Sequence, residues 1–390
     1  MTVLRTHSDH LSEQDDALSI FAEISKHDHE QLIFCADEKA GLRAIIAVHN
    51  TTLGPALGGT RMWNYHNDRE ALTDVLRLSR GMTYKAAVAG LNLGGGKAVI
   101  IGNSQSEKSE SLFRTYGRFV EGLGGRYITA EDVGTNVRDM EWVRMETKYV
   151  TGISKALGGS GDPSPVTALG VYMGMKAACS ERYGNDSLTG KKIVVQGAGQ
   201  VAYYLCGHLR SEGAKVFISD IYEDKARRIV AEYGATYIKA EDVYAQDADI
   251  FCPCALGGIL NSDTIPQMHF AIIAGAANNQ LADETIHEQQ LIDKGVLYVP
   301  DFVINAGGLI NVANELEGYN QDRALSQARG IYDVIKAIVK LSKEERMTTN
   351  SAAVRLAEER LQRIGQIKQI YAGSSGFTGR LGEMSQKISR

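Results

Sequence analysis

Lys192-Ile193-Val194-Val195-Gln196-Gly197-Ala198-Gly199-Gln200-Val201-Ala202 is the stretch that decides the fold of this 390-residue chain. An apolar run of strand type meets G-x-G-x-x-A, and a helical pattern continues through Leu205 and Leu209. A second apolar run, Lys215-Val216-Phe217-Ile218-Ser219, then ends in Asp220. A lone glycine match carries little weight. Strand, glycines, helix, strand and terminal acid in this order are the context a dinucleotide site requires. Gly197 permits the tight turn, Gly199 admits a pyrophosphate at the helix N-terminus, and Ala202 is small enough for close helix–strand packing. Gly197, Ala198, Gly199, Gln200 and Val201 are therefore cofactor-binding candidates. A carboxylate placed like Asp220 accepts hydrogen bonds from a ribose 2′-hydroxyl and repels a 2′-phosphate, and no arginine follows at once. NAD is expected over NADP.

Outward from this unit, further strand-like runs follow at Ala248–Cys252, Ala271–Ala274 and Val296–Val299. Two of them lead into polar or glycine-rich turns, Gly275–Gln280 with Asn278 and Asn279, and Asn305-Ala306-Gly307-Gly308 beyond Pro300. Long amphipathic patterns over about Arg323–Ser342 and Ser351–Tyr371 read as helices that return to the first half of the chain. On the N-terminal side, Gly158–Pro165 concentrates breakers and marks a boundary, followed by a helix over Val166–Tyr183 with Thr167 in its first turn. The chain length is itself more than one core usually serves, so two domains are expected.

Composition sets the outer limits. Hydrophobic residues at 44% and charged residues at 23% are those of an ordinary globular protein, and a net charge of −5 without a basic run gives no support for nucleic-acid binding. No apolar stretch approaches transmembrane length, and the first twenty residues lack a signal-peptide core, so no membrane role and a cytoplasmic location are expected. Residues 1–17 and the segment from Gly373 read as polar, loosely held ends. Five cysteines do not make a disulfide framework, and Cys252-Pro253-Cys254 is too tightly spaced for a zinc site. Buried thiols and no metal are the expectation.

A second centre of interest is Thr83-Tyr84-Lys85-Ala86-Ala87-Val88-Ala89-Gly90-Leu91-Asn92-Leu93-Gly94-Gly95-Gly96-Lys97. Asn67, with Glu70 as capping-box partner, opens a helix on which Ala71, Leu72, Val75, Leu78 and Met82 recur at helical spacing, with Lys85 at the edge of that stripe. An ammonium on the core side must hold an anion or line a cleft. The glycines are read as a turn that clears space around Lys97 ahead of the strand Ala98–Ile101. Taken alone, the segment is equally consistent with two surface lysines on a flexible turn. Asp132 falls at the end of the strand Arg126–Ala130, where α/β folds commonly place their chemistry, although a helix-capping role is open to it as well.

Together these motifs make the chain resemble the glutamate/leucine/phenylalanine/valine dehydrogenases, and among them the leucine enzymes. The resemblance spans about Gln31 to Leu361. It is carried by Gly54–Arg61, Gly81–Lys85, Leu91–Lys97, Thr129–Thr135, Pro163–Thr167, Pro253–Gly257 and Ile304–Gly308. It implies an α/β fold of two domains: residues 18–152 for substrate binding and oligomerisation, a Rossmann-type doubly wound NAD domain over 163–345, and a C-terminal helix over 346–372 packing back on the first. The implied reaction converts an L-amino acid, water and NAD⁺ to a 2-oxo acid, ammonia and NADH, in a homo-oligomer (octamer or dimer). It gives Lys85 the substrate carboxylate, Lys97 the role of general base, and Asp132 a proton shuttle to and from nitrogen. Two cations close together in a cleft are expected to depress a lysine pKa. By the same resemblance Thr167, Asn279, Cys254 and Ala255 lie on the cofactor side, while Leu57, Gly58, Ala130, Leu309 and Val312 line the substrate pocket. Leu309 stands where leucine enzymes tend to carry valine, and Leu57 where glutamate enzymes place a lysine. An apolar pocket favours leucine, valine and isoleucine. The rivals are an aromatic amino-acid dehydrogenase and, of another class, a catalytically silent NAD-binding regulator.

Overall fold

The computed structural model describes residues 20–367. The expected N-terminal extension, the end of the last helical pattern to Tyr371 and the tail from Gly373 lie outside the described residues. The first half of the chain runs α1 (Ile20–Lys26), β1 (Gln31–Asp37), β2 (Leu42–Asn50), β3 (Ala56–Trp63), α2 (Asp68–Val88), β4 (Gly94–Ile101), α3 (Glu110–Gly122), β5 (Tyr127–Glu131) and α4 (Val137–Arg144). The second runs α5 (Ser164–Tyr183), β6 (Lys192–Gln196), α6 (Gln200–Ser211), β7 (Lys215–Ser219), α7 (Glu223–Tyr233), β8 (Thr236–Tyr237), β9 (Ile250–Pro253), β10 (Ile272–Ile273), α8 (Glu284–Asp293) and β11 (Leu297–Tyr298). It ends with α9 (Asp301–Ile304), α10 (Gly307–Ala313), α11 (Gln321–Arg329), α12 (Ile331–Glu345) and α13 (Thr349–Ile367).

Each half builds one sheet, giving a two-domain α/β fold. The first is mixed, ordered β1-β2-β4-β3-β5, with β4 antiparallel to β2 and parallel to β3. The second is parallel throughout, ordered β11-β10-β9-β6-β7-β8. Chain order reverses between β6 and β9, the switch point at which doubly wound sheets open a crevice for a ligand.

α2 shows how local sequence sets up the chemistry. Asn67 caps it, its side chain accepting from the Glu70 N–H at 2.9 Å, while the Glu70 carboxylate accepts from His66 N–H rather than closing a box on Asn67. The buried face carries Ala71, Leu72, Val75 and Leu76, but also Ser79 and Thr83, with Leu78 and Met82 only half-buried. Those two hydroxyls meet His29 Nε2 at 3.0 Å and His49 Nδ1 at 2.8 Å, pairings that make a polar stripe tolerable in the interior.

Several expectations need correcting. The glycines before Lys97 are not a turn: Gly94–Ile101 is one strand, and Lys97 sits in its middle opposite Ala47. The Asn305–Gly308 segment is helical on both sides rather than a glycine turn. The helix pattern from Arg323 to Ser342 is two helices meeting at Gly330.

One apolar cluster joins the halves, containing Leu53, Leu57, Val88 and Leu93 from the first together with Val171, Met175, Leu309 and Ile335 from the second. Polar ties reinforce it. Arg360 of α13 donates to the carbonyls of Ala87, Gly90 and Leu91 and to Asn92 Oδ1, all within 3.1 Å, closing the C-terminal end of α2 and the turn into β4. Glu315 accepts from the backbone N–H groups of Gly152 at 3.1 Å and Ser160 at 2.8 Å in the connection between the halves. No described helix is long and apolar enough to cross a membrane.

Candidate active site

β4, β5 and α2 converge on one constellation. Lys97, only 5% exposed, places Nζ 3.0 Å from Asp132 Oδ1. Asp132 directly follows β5, and its N–H donates to Thr135 Oγ1 at 2.9 Å. Burial pushes the Asp132 carboxyl upward, but Lys97 and Arg61 outweigh it and hold the group below its ordinary range. Arg61 on β3 reaches the second oxygen, Nε to Oδ2, at 3.1 Å.

Lys85 approaches from the last turns of α2. Its Nζ donates to Asn278 Oδ1 at 3.4 Å, and Asn305 Nδ2 donates to the same oxygen at 2.6 Å. The ammonium thus bridges toward the second sheet. Burial brings the Lys85 pKa down to about 8, Lys97 adding to the fall while Asp301 and Asp132 oppose it. The depression expected of a lysine in this cleft is found at Lys85. Asp301 is itself pushed upward by burial, with its oxygen accepting from Gln280 N–H at 2.9 Å.

The glycines have a packing reason. A Cβ on Gly95 would lie 2.1 Å from Thr83 N, one on Gly96 2.7 Å from the Tyr127 ring, and one on Gly58 1.7 Å from Gly96 O. Glycine lets α2, β3 and β5 press against β4, which sets the spacing of Lys85, Lys97 and Asp132. Among the candidate pocket residues, Leu57, Ala130, Leu309 and Val312 are all buried, and Leu57, Leu309 and Val312 share the cluster between the halves. Gly58 keeps its carbonyl bonded to Tyr127 OH at 2.6 Å.

On the other side of the crevice, the loop after β6 fits a dinucleotide by its backbone. Gly197 takes φ +101°, and a Cβ there would lie 2.8 Å from the Ala255 side chain and 2.9 Å from Cys254 carbon. Gly199 caps α6 with no side-chain bond to the helix N–H groups, and nothing lies within 4 Å of where its Cβ would point. Gln200 and Gly199 are exposed and Val201 partly so, while Ala202 is packed at 1% exposure. Asp220 stands just past β7, accepting from the N–H groups of Ala198 at 2.6 Å and Tyr222 at 2.8 Å. Open donors at a helix N-terminus with a carboxylate beside the loop are what NAD requires. Thr167, 9% exposed, donates its hydroxyl to Pro163 O at 3.0 Å. Asn279 adopts φ +51° in the turn after β10, and its carbonyl accepts from Gly258 N–H at 2.7 Å. Cys254 is half-buried with Sγ 3.5 Å from Cys252 Sγ; no metal-holding cluster is found among the described residues.

Arg61 and Asp301 carry no individual signal in the sequence, and Asn278 and Asn305 read there only as residues of polar turns. Arg61 is adjacent to the glycine motif of β3, and Asn278 neighbours Asn279. Their partners are far along the chain, so spacing alone gives no signal for them.

The chain matches the family description Glu/Leu/Phe/Val dehydrogenase, dimerisation domain, over residues 29–149, and Glutamate/Leucine/Phenylalanine/Valine dehydrogenase over 158–222 and 218–369. It is 57% identical to the leucine dehydrogenase of Bacillus subtilis (strain 168), over 89% of this chain and 95% of that one. It is 46% identical to a phenylalanine dehydrogenase of Bacillus thermotolerans, covering 91% and 94%. The crystal structure of L-tryptophan dehydrogenase from Nostoc punctiforme superposes with a TM-score of 0.80 at 49% identity, over 89% of this chain and 99% of that one.

Proposed function

The chain belongs to the glutamate/leucine/phenylalanine/valine dehydrogenase family, and from that premise we propose that it deaminates branched-chain L-amino acids, reversibly, to 2-oxo acids and ammonia. It is an NAD-dependent amino-acid dehydrogenase. The observation that carries the reading is the buried Lys97–Asp132 pair at 3.0 Å with Lys85 close by. Lys85 pairs with the substrate carboxylate, a charge-assisted contact that fixes the Cα. Lys97 takes a proton from the water that attacks the iminium carbon, and Asp132 carries a proton to and from the substrate nitrogen. NAD, when bound, supplies the two-electron oxidation; Gly197, Ala198, Gly199, Gln200 and Val201 hold its phosphates, Asp220 its ribose, and Thr167, Asn279, Cys254 and Ala255 its nicotinamide side.

Specificity rests on the apolar wall of Leu57, Ala130, Leu309 and Val312, beside Gly58. A charged side chain entering it loses hydration without a partner, at a cost well above that of burying an unpaired amide or hydroxyl. A branched aliphatic chain gains about 0.8 kcal/mol per buried CH₂. A second reading, activity on aromatic amino acids, is favoured by the phenylalanine and tryptophan enzymes among the relatives and by the small Ala130. We also assign residues 18–152 to substrate binding and homo-oligomerisation, 163–345 to NAD and 346–372 to the returning helix, in a cytoplasmic protein. NADH absorbance with a panel of L-leucine, L-valine, L-isoleucine, L-phenylalanine, L-tryptophan and L-glutamate tests the proposal. The three branched-chain substrates should have the highest kcat/KM. Higher efficiency on glutamate, or on either aromatic, overturns the assignment.

A further inference from the structure

Asp132 offers two carboxylate oxygens, and each meets a different cation. Oδ1 lies 3.0 Å from Lys97 Nζ, and Oδ2 lies 3.1 Å from Arg61 Nε. Arg61 is itself restrained. Its Nη1 is 2.8 Å from Asp74 Oδ2 on α2, Tyr65 OH donates to that same oxygen at 2.7 Å, and Arg77 meets Asp74 Oδ1 at 3.1 Å. The fork is partly shielded, the side chains of Arg61, Asp74 and Asp132 being 20%, 14% and 23% exposed. One planar guanidinium therefore spans two carboxylates from different elements with two separate nitrogens held in a fixed fork, where a lysine would offer a single nitrogen on a flexible stem.

We propose that Arg61 is a positioning residue for the deamination: anchored by Asp74 and Tyr65, it holds Oδ2 of Asp132 so that Oδ1 alone is presented to Lys97 and the reacting nitrogen. The inference rests on the reading of Lys97 and Asp132 as the proton-handling pair. Its second consequence is electrostatic. The ionisable groups facing Asp132 are Lys97 from β4, Arg61 from β3, Lys85 from α2, and Glu131 and Tyr127 from β5. Removing Arg61 takes away one of the two close cations that offset burial, so the carboxyl takes up a proton at higher pH.

Full-length Arg61→Leu, Arg61→Lys, Asp74→Asn and Asp132→Asn enzymes decide the matter through kcat, the KM for L-leucine, the pH profile and NADH binding by fluorescence. Arg61→Leu should lose on the order of 100-fold in kcat through misplacement of the carboxylate. Its KM and NADH affinity should stay within about threefold, since neither ligand contacts Arg61 in this account. The acid limb should move to higher pH in Arg61→Leu and return toward wild type in Arg61→Lys, without full recovery of kcat. Asp74→Asn should lose roughly tenfold in kcat by loosening the fork. If Arg61→Leu does not fold, Arg61→Lys and Asp74→Asn carry the test, and wild-type kcat and pH profile in both overturn the proposal. An inactive Asp132→Asn beside an Arg61→Leu with unchanged kcat and acid limb likewise sinks it. Turnover surviving in Asp132→Asn refutes the proton-handling assignment itself.

Discussion

The two glycine-rich stretches of the molecule use the same residue for opposite purposes. Gly94, Gly95 and Gly96 are buried inside β4, where Cβ atoms would fall 2.0 Å from Asn50 O, 2.1 Å from Thr83 N and 2.7 Å from the Tyr127 ring. Their missing side chains are already filled by protein. Gly199 is exposed, and the space beside it is open for 4 Å. Gly197 combines both demands, a positive φ of +101° and close contact with Ala255. Glycine in the first stretch is a packing residue that brings Lys97 near Asp132; in the second it leaves room for a ligand.

The largest expected effect comes from the packed stretch. Gly95→Ala must push α2 away from β4, since the obstructing atom is helix backbone. We expect a loss of about 3 kcal/mol or more in chemical denaturation, together with loss of activity. A midpoint within error of wild type would show that β4 and α2 are not so tightly joined.

The packed stretch is also expected to respond to acid. Thr83, which abuts Gly95, bonds His49 Nδ1 at 2.8 Å. Burial lowers the His49 pKa to about 4 from 6.5, with His29, Arg80 and His27 adding to the fall and the His27 carbonyl opposing it; His29 is lowered as well, chiefly by burial. A folded-state pKa below the unfolded value means that the unfolded chain binds the proton first. Stability is therefore full above about pH 6.5 and declines as pH falls toward 4, by roughly 2–3 kcal/mol for His49. Urea titrations across that window should show the decline, and His49→Gln should flatten it. An identical slope in the variant would remove His49 from the explanation.

The cofactor loop should behave in the reverse manner. Gly199→Ala should change stability by no more than about 1 kcal/mol while weakening NADH binding at least tenfold, because the new methyl group occupies ligand space. Gly197→Ala should do both, with a strain cost of about 1–3 kcal/mol. Equal effects of the two substitutions on folding and binding would erase the distinction. The smallest effect is expected at Asp220. Asp220→Ser should narrow the preference for NAD over NADP by about tenfold, or 1.4 kcal/mol, and an unchanged ratio of kcat/KM values would deny the residue that role.

The same contrast explains what was legible in the sequence. The β6–α6–β7 unit with Asp220 is local: hydrophobic period, glycine spacing and terminal acid all fall within a short window, so the parallel sheet follows from pattern. The strand at Gly94 was hidden because glycine lacks β propensity, and its reason to be there is supplied by Asn50, Thr83 and Tyr127, all remote or on other elements. Ser79 and Thr83 broke the apolar stripe of α2 because their partners, His29 and His49, come from elsewhere in the chain. The helices flanking Asn305-Ala306 were obscured by paired glycines whose place is fixed by packing, since a Cβ on Gly307 would meet Val166 O at 2.4 Å. The two lysines and Asp132 could be singled out, but the Arg61–Asp74 fork and the Asn278 contact to Lys85 join distant segments that no local period reports.

The proposed chemistry turns on Lys97, brought to Asp132 by the packed glycines. Steady-state turnover of L-leucine by Lys97→Ala, with NADH titrated by fluorescence on the same preparation, tests it most directly. The predicted result is a kcat reduced by at least about a thousandfold with NADH affinity unchanged, in keeping with the loss of a general base. A variant that keeps about a tenth of the wild-type kcat would place the base elsewhere and contradict the account.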